Sequence, residues 1–146
     1  MKKILTCILL VSFAFGLFVF KPSTTFACKC VKPLGVKEEL SRSDQVFSGK
    51  VLSIKDEKGS NGNIKKVVLF KVSQTWKGSK VAKIKIITGQ GGGDCGYSFQ
   101  KNHDYLVYAK QSDMYGKKEL VAITCSRTKD LADAKEDLVI LGKGLK

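Results

Sequence analysis

The cysteines constrain this chain more than any other feature. Cys28 and Cys30 stand one residue apart just after an apolar N-terminal segment, and Cys95 and Cys125 lie far along the chain. Cys7 lies inside the apolar segment and would leave with it, so four cysteines remain. An even number of cysteines in a small exported chain indicates a disulfide framework. A bond between Cys28 and Cys30 would close a ring too tight for ordinary disulfide geometry. We therefore expect both to bond to Cys95 and Cys125, in one of two pairings.

Residues 1–27 have the composition of a signal peptide. Lys2 and Lys3 precede an apolar run, and Thr25 and Ala27 place small residues where a signal peptidase cleaves. Cleavage after Ala27 would leave a secreted or cell-surface protein whose first residue carries a free α-amino group.

Two alternatives to that cleavage stay open. The apolar run is slightly shorter than the ~20 residues of a usual membrane span, yet it could be retained as an anchor. In that case the membrane would be contacted only through this segment. Cys28 could instead be lipidated, although Thr25 stands where a lipidation signal usually has leucine.

Residues 28–146 are long enough for one domain with a single core. Removal of the leader also removes three lysines, so the formal net charge falls from +13 to +10. Such a charge favours anionic cell-surface polymers as partners, although lysine-rich surfaces also simply keep proteins soluble. The lysines that carry this hypothesis are Lys65, Lys66, Lys83 and Lys85.

Alternation of apolar and polar residues predicts five short strands. They cover residues 46–54, 66–76, 81–88, 105–109 and 120–124. In the second strand the residues expected on one face are Val68, Phe70, Val72 and Trp76. Gly49 indicates a bend or bulge, and Asn61-Gly62 indicates a hairpin turn.

Helical spacing appears twice. A short helix is expected over residues 36–43, and a longer one is expected near the C-terminus, with Asp130 as its cap and Gly142 as its end. The apolar residues of the second helix are Leu131, Ala134, Leu138 and Leu141. Five strands closed to hide their edges, with flanking helices, form an all-β, five-stranded barrel of the OB-fold type.

The chain offers no constellation typical of an enzyme. Its one histidine, His103, falls in a polar loop, and no zinc-ligand spacing, nucleophile elbow or phosphate-binding loop is present. A redox or metal-binding role for the Cys-x-Cys pair would leave Cys95 and Cys125 unexplained. We expect a protein that is not an enzyme, with no cofactor and no metal of its own.

Several short motifs, in order, resemble a known family. Residues 28–33 (CKCVKP) resemble the start of tissue inhibitors of metalloproteinases (TIMPs). The rest of the mature chain resembles their netrin-like module, through residues 44–51 (DQVFSGKV), 76–78 (WKG), 95–99 (CGYSF), 105–109 (YLVYA) and 125–128 (CSRT). The resemblance implies the same OB-fold barrel with helices, and the disulfides Cys28–Cys95 and Cys30–Cys125.

The resemblance also implies a mechanism. In the family, the amine and carbonyl oxygen of the N-terminal cysteine chelate the catalytic zinc of a metalloprotease, which assigns that role to Cys28. The implied inhibitory ridge comprises Lys29, Cys30, Val31, Gly93 and Asp94. Lys29 stands where the family usually has a small hydroxyl residue.

Two functions follow as expectations. The first is a secreted inhibitor whose partner is a zinc metalloprotease. The second is a non-inhibitory netrin-like module that binds anionic polymers or other cell-surface partners. Nucleic acid is not an expected partner of either.

Overall fold

A computed structural model describes residues 28–30, 34–60 and 62–146 of the chain. The signal peptide expected over residues 1–27, the ridge residue Val31 and the hairpin residue Asn61 lie outside the described residues.

The fold is mostly β, with a short helix near each end of the described chain. Its elements are helix α1 (Val36–Arg42), strands β1 (Gln45–Lys58), β2 (Ile64–Lys77) and β3 (Lys83–Thr88), a 3-10 turn (Gly92–Asp94), strands β4 (Asp104–Ser112), β5 (Glu119–Val121) and β6 (Lys129–Asp130), a second 3-10 turn (Leu131–Asp133), and helix α2 (Lys135–Leu141). All five expected strands and the first expected helix are confirmed, with shifted boundaries. The two-residue strand β6 was not predicted. Neither helix in the described part of the chain has the length and apolar character needed to cross a membrane.

The first five strands form a ring. Neighbouring strands follow the order β1-β2-β3-β5-β4, and β4 pairs back with β1. The β3–β5 pair is parallel and the other pairs are antiparallel. Strand β6 adds to β4 outside this ring. Closure satisfies backbone groups that an open sheet would leave at its edges.

The inside of the ring holds the main apolar core. Phe70 lies at its centre and contacts Phe47 and Phe99 edge to face, with ring centroids 5.3 and 5.2 Å apart. In β3, Ile84 and Ile86 are buried in this core while Lys83 and Lys85 are exposed, as the alternation predicted. One face of each strand therefore packs inward. The other face meets solvent along much of β3 but is covered on β4, where Leu106 and Tyr108 are buried against the helices.

Trp76 does not join the inward face of β2, and that prediction was wrong. A β-bulge beside Gly49 makes Ser73 an extra residue in β2, and one extra residue reverses which side chains face inward. Thr75 is consequently buried, and Trp76 packs in a second apolar cluster with the helices. Gly49 does lie at a bulge as expected, where an added Cβ would come within 2.6 Å of the Lys71 carbonyl oxygen.

The expected C-terminal helix is divided in two. Asp130 caps the 3-10 turn Leu131–Asp133, because its carboxylate accepts a hydrogen bond from the Ala132 amide at 3.2 Å. The backbone at Ala134 then leaves helical geometry before α2 begins, and Gly142 ends α2 at a φ of 67°. The apolar residues expected on one face do share one cluster: Leu131, Ala134, Leu138 and Leu141.

Candidate functional site

Two disulfides fasten the N-terminal cysteines to the ring. Cys28 is bonded to Cys95 and Cys30 to Cys125, across 67 and 95 residues of sequence. These are the pairs that the family resemblance implied. Disulfides of this kind suggest a location outside the cytoplasm. We call these four cysteines the disulfide cluster.

The two bonds lie side by side because the loops that carry their partners are paired. Gly96 forms an isolated antiparallel bridge with Ile123, and the Thr124 amide donates to the Cys95 carbonyl at 3.0 Å. The Sγ atoms of Cys28 and Cys125, which belong to different disulfides, are 3.4 Å apart. The segment from Cys28 to Cys30 is thereby held across both loops.

A single carboxylate organises the loop that leads to Cys95. The Asp94 side chain accepts hydrogen bonds from the amides of Gln90 at 2.6 Å, Gly91 at 2.9 Å and Gly96 at 3.0 Å. Its own carbonyl accepts a hydrogen bond at 2.7 Å from the hydroxyl of Tyr115. The Asp94 carboxylate is therefore already hydrogen-bonded within its own loop.

The glycines of this loop permit a close approach of backbone to backbone. An added Cβ on Gly96 would lie 2.4 Å from the Gly89 carbonyl carbon, and one on Gly89 would lie 2.3 Å from the Asp94 carboxylate. This arrangement was not predicted from the sequence. The missed signal was a lone aspartate inside a glycine run, a residue that readily binds nearby backbone amides.

Tyr115 supports the loop through its hydrogen bond to the Asp94 carbonyl. Tyr115 lies in a mostly polar segment between β4 and β5, yet it is buried against Ile87 and Val121. Burial, followed by the nearby Asp94 carboxylate, raises the pKa of Tyr115 to about 12. The phenol therefore stays protonated and remains a hydrogen-bond donor to the Asp94 carbonyl throughout the physiological range.

The described residues of the expected ridge come together at this place. Lys29, Cys30 and Gly93 are exposed, while Cys28 and Asp94 are partly buried. Two chain segments distant in sequence thus form one surface, with the lysine side chain accessible to a partner.

Three sulfur atoms of the cluster also lie close enough to share a metal ion. The Sγ atoms of Cys28, Cys30 and Cys125 are within 4.8 Å of one another. Zinc binds thiolates, and a sulfur that is bonded to another sulfur has no thiolate to offer. We therefore assign no metal to these atoms in the disulfide-bonded protein.

His103 lies at an exposed position before β4, as expected. Its Nδ1 is 3.6 Å from a carboxylate oxygen of Asp130, and half of its side chain remains accessible. Its ring stacks near that of Tyr105, with centroids 6.5 Å apart.

Two of the four lysines proposed for polymer binding are engaged elsewhere. Lys65 is buried and pairs with Glu119, which corrects the expectation that it is a surface charge. The Lys66 ammonium contacts Asp56 at 3.2 Å and Gln90 at 2.8 Å. Lys83 and Lys85 are exposed.

A second polar centre holds α2 against the ring. It consists of Asp137, Tyr108, Arg127 and Lys129, and we call it the Asp137 cluster. Asp137 is 0% exposed. Its carboxylate accepts hydrogen bonds from Arg127 at 2.7 and 2.8 Å, from Lys129 at 2.9 Å and from the Tyr108 hydroxyl at 2.9 Å. Arg127 also donates to the Leu34 carbonyl at 2.9 Å, which ties down the chain shortly after the N-terminal cysteines.

The charges of this cluster compensate each other. Burial raises the pKa of Asp137, but the hydrogen bonds from Arg127, Lys129 and Tyr108 outweigh it and lower that pKa to about 2. The hydrogen bond to Asp137 raises the pKa of Arg127. This cluster was not predicted from the sequence, because Asp137 stands among the charged residues of an amphipathic helix.

Comparison of the chain with protein-family models and with curated proteins found no match. The resemblance to TIMPs and netrin-like modules is therefore one of short sequence motifs, and the two disulfide pairs are those that it implied.

Proposed function

We propose that this protein is a secreted, single-domain netrin-like inhibitor of zinc metalloproteases. The observation that carries the proposal is the pair of adjacent disulfides, which hold the segment from Cys28 to Cys30 beside the loop of Gly93 and Cys95. A chain end fastened in this way forms a rigid wedge rather than a mobile tail.

The finer fold assignment is part of the same proposal. A ring of five strands in the order β1-β2-β3-β5-β4, with β3 and β5 parallel, supports an OB-type barrel. The core inside the ring and the helix packed outside it agree with a netrin-like module.

The chemistry would be performed by the N-terminus rather than by a side chain. After cleavage behind Ala27, the α-amine and carbonyl oxygen of Cys28 can close a chelate on a zinc ion that keeps an open coordination position. The Cys28 sulfur takes no part, because it is bonded to Cys95. The amine must be neutral to coordinate, and the ordinary pKa of an α-amine, about 7.7–8.0, allows this near neutral pH.

The disulfides would contribute by preorganisation. Holding the chelating residue in place before binding lowers the conformational entropy that association removes. Lys29, which is exposed beside the chelating residue, would enter the specificity pocket of the protease. Its ammonium favours a protease whose pocket carries an acidic group.

The test uses the mature protein and a variant that has one alanine added before Cys28. The added residue moves the amine away from Cys28 and abolishes the chelate, so inhibition of a panel of zinc proteases should fall by at least about 100-fold, as for loss of a metal ligand pair. A variant with one alanine added after Lys146 is the control and should inhibit like the mature protein. Equal inhibition by both extended forms, or none by any form, would exclude chelation.

The expected processing is tested separately by the intact mass of the protein recovered from an expressing culture. Cleavage after Ala27 predicts a first residue of Cys28 without an acyl group. A retained leader or a lipid on Cys28 would contradict the proposal, because either would block the amine.

A second candidate function is binding of an anionic cell-surface polymer. It depends on the formal charge of +10 expected after leader removal and on lysines that remain free at the surface. Lys83 and Lys85 keep this role, whereas the buried pair of Lys65 with Glu119 removes Lys65 from it.

A further inference from the structure

Three lysines stand directly opposite one another across three neighbouring strands. Lys50 of β1 pairs with Lys71 of β2, and Lys71 pairs with Lys83 of β3. All three are exposed. We call these residues the lysine row.

The row faces outward from the ring. The adjacent positions Val51, Phe70 and Ile84 are themselves aligned and buried in the core. Since successive side chains of a strand point to opposite faces, the three lysines project together into solvent. Neighbouring strands are about 4.8 Å apart, so three ammonium groups occupy a line of roughly 10 Å.

The positive charge of the row is largely uncompensated by nearby carboxylates. Lys50 lies 3.4 Å from the Asp104 carboxylate, in a pair that is half exposed. Within the described residues, no carboxylate pairs with Lys71, Lys83 or the neighbouring Lys85. Like charges directly opposite each other in a sheet are destabilising. Folding therefore does not account for this arrangement, whereas a bound polyanion would relieve its repulsion.

The chemistry of the face restricts the kind of polyanion. No arginine lies on β1, β2 or β3, so an anion on this face would be held by ammonium groups alone, without a planar guanidinium fork. On β1, β2 and β3 the aromatic residues Phe47 and Phe70 are buried in the core and Trp76 packs with the helices, so the row has no exposed ring beside it on which bases could stack. Lysine ammonium groups bind phosphate as point charges.

We propose that the lysine row binds a linear phosphate polymer, with consecutive phosphate groups contacting Lys50, Lys71 and Lys83 across the strands. This inference rests on the second candidate function and names its surface and its ligand class. The row lies at the start of β3, and the loop of the disulfide cluster follows its end. The five residue steps from Lys83 to Thr88 span roughly 17 Å, so the lysine row and the disulfide cluster are separate surfaces.

The experiment measures binding of the mature protein to long-chain inorganic polyphosphate. The test variant is Lys50→Gln, Lys71→Gln and Lys83→Gln combined. The matched control is Lys37→Gln, Lys118→Gln and Lys143→Gln combined, which removes the same charge from exposed positions outside the row. We expect the test variant to bind roughly 100-fold more weakly, with a shallower dependence on salt, and the control to change by less than about threefold.

Thermal unfolding verifies that the test variant is folded, and its midpoint should not be lower than that of the native protein because repulsion has been removed. Equal weakening of both variants would show that net charge alone drives binding and would overturn the row assignment. Failure of the native protein to bind polyphosphate would overturn this inference, and failure to bind polyglutamate as well would overturn the second candidate function. Equal or tighter binding to polyglutamate at matched charge would overturn the assignment to phosphate.

Discussion

The disulfide cluster and the Asp137 cluster fasten peripheral segments to the same ring by different physical means. The first uses covalent bonds and leaves much of its segment exposed. The second uses one fully buried carboxylate with three donors. The chain from Cys125 to Lys129 connects them, since it supplies a disulfide partner at one end and two cations near the other.

This difference shows which kind of segment each kind of attachment can hold in place. Covalent bonds stabilise a segment without requiring it to be buried, so its surface stays available to a partner. A buried charge is stable only if its donors surround it, and such a cluster therefore fixes an element that has no need to be accessible. This supports the assignment of binding to the disulfide cluster and of a structural role to the Asp137 cluster.

The largest expected effect is loss of the Cys30–Cys125 bond through Cys30→Ser combined with Cys125→Ser. Because the Cys28–Cys95 bond already joins the two regions, the Cys30–Cys125 bond closes a loop of only about 32 residues in the unfolded chain, 2 between the N-terminal cysteines and 30 between their partners. Its removal should lower the free energy of unfolding by about 4 kcal/mol. Urea unfolding measures this loss. Cys28→Ser combined with Cys95→Ser is the comparison and should cost nearly as much. A loss below about 1 kcal/mol would show that the cluster does not act by covalent constraint.

The next effect comes from Asp137→Asn, which keeps the shape and removes the charge. Arg127 and Lys129 would face a buried amide without compensation, so we expect a loss of about 3 to 4 kcal/mol. Glu136→Gln is the matched control, because Glu136 is 75% exposed and lies 3.8 Å from the same arginine. The control should change stability by less than about 0.5 kcal/mol. Similar losses in both variants would argue against a special role for the buried charge.

Acid should distinguish the two clusters without mutation. The pKa of Asp137 is lowered from an ordinary 3.8 to about 2 in the folded protein, so the folded state binds its proton less tightly than the unfolded state. The resulting stabilisation is complete above about pH 4 and is lost as the pH falls towards 2, a change of about 2 kcal/mol. Chemical unfolding at several pH values measures it. Asp137→Asn should lack this component, and a variant with the same acid dependence as the native protein would contradict its assignment to Asp137.

Local patterns in the sequence were sufficient for much of the fold. Period-two alternation located the five strands of the ring, because alternate residues of each strand face the core inside the ring. The face of Trp76 was wrongly predicted, since a bulge in the pairing of β1 with β2 is a property of two strands together. The number of cysteines indicated two disulfides, but the pairing came from the family resemblance alone.

The sequence was less informative about polar contacts. Asp137 binds Tyr108, 29 residues away, and Arg127, 10 residues away, and no local pattern links them. The lysine row likewise depends on the register of three strands. Asp94 is the exception, because a lone aspartate among glycines is a local signal for a carboxylate that binds backbone amides.

The smallest effect tests how tightly the loop of the disulfide cluster is built. Gly96→Ala would place a methyl group 2.4 Å from the Gly89 carbonyl carbon, and the two backbone segments must separate to admit it. We expect a loss of about 1 to 2 kcal/mol in urea unfolding. Gly35→Ala is the control, because an added Cβ there meets nothing within 4 Å at a φ of −62°. Its gain in chain entropy is offset by the loss of a glycine at the N-cap of α1, so stability should change by less than about 1 kcal/mol. If Gly96→Ala were equally neutral, the loop would be loose enough to move, and the rigid wedge proposed for protease binding would lose its support.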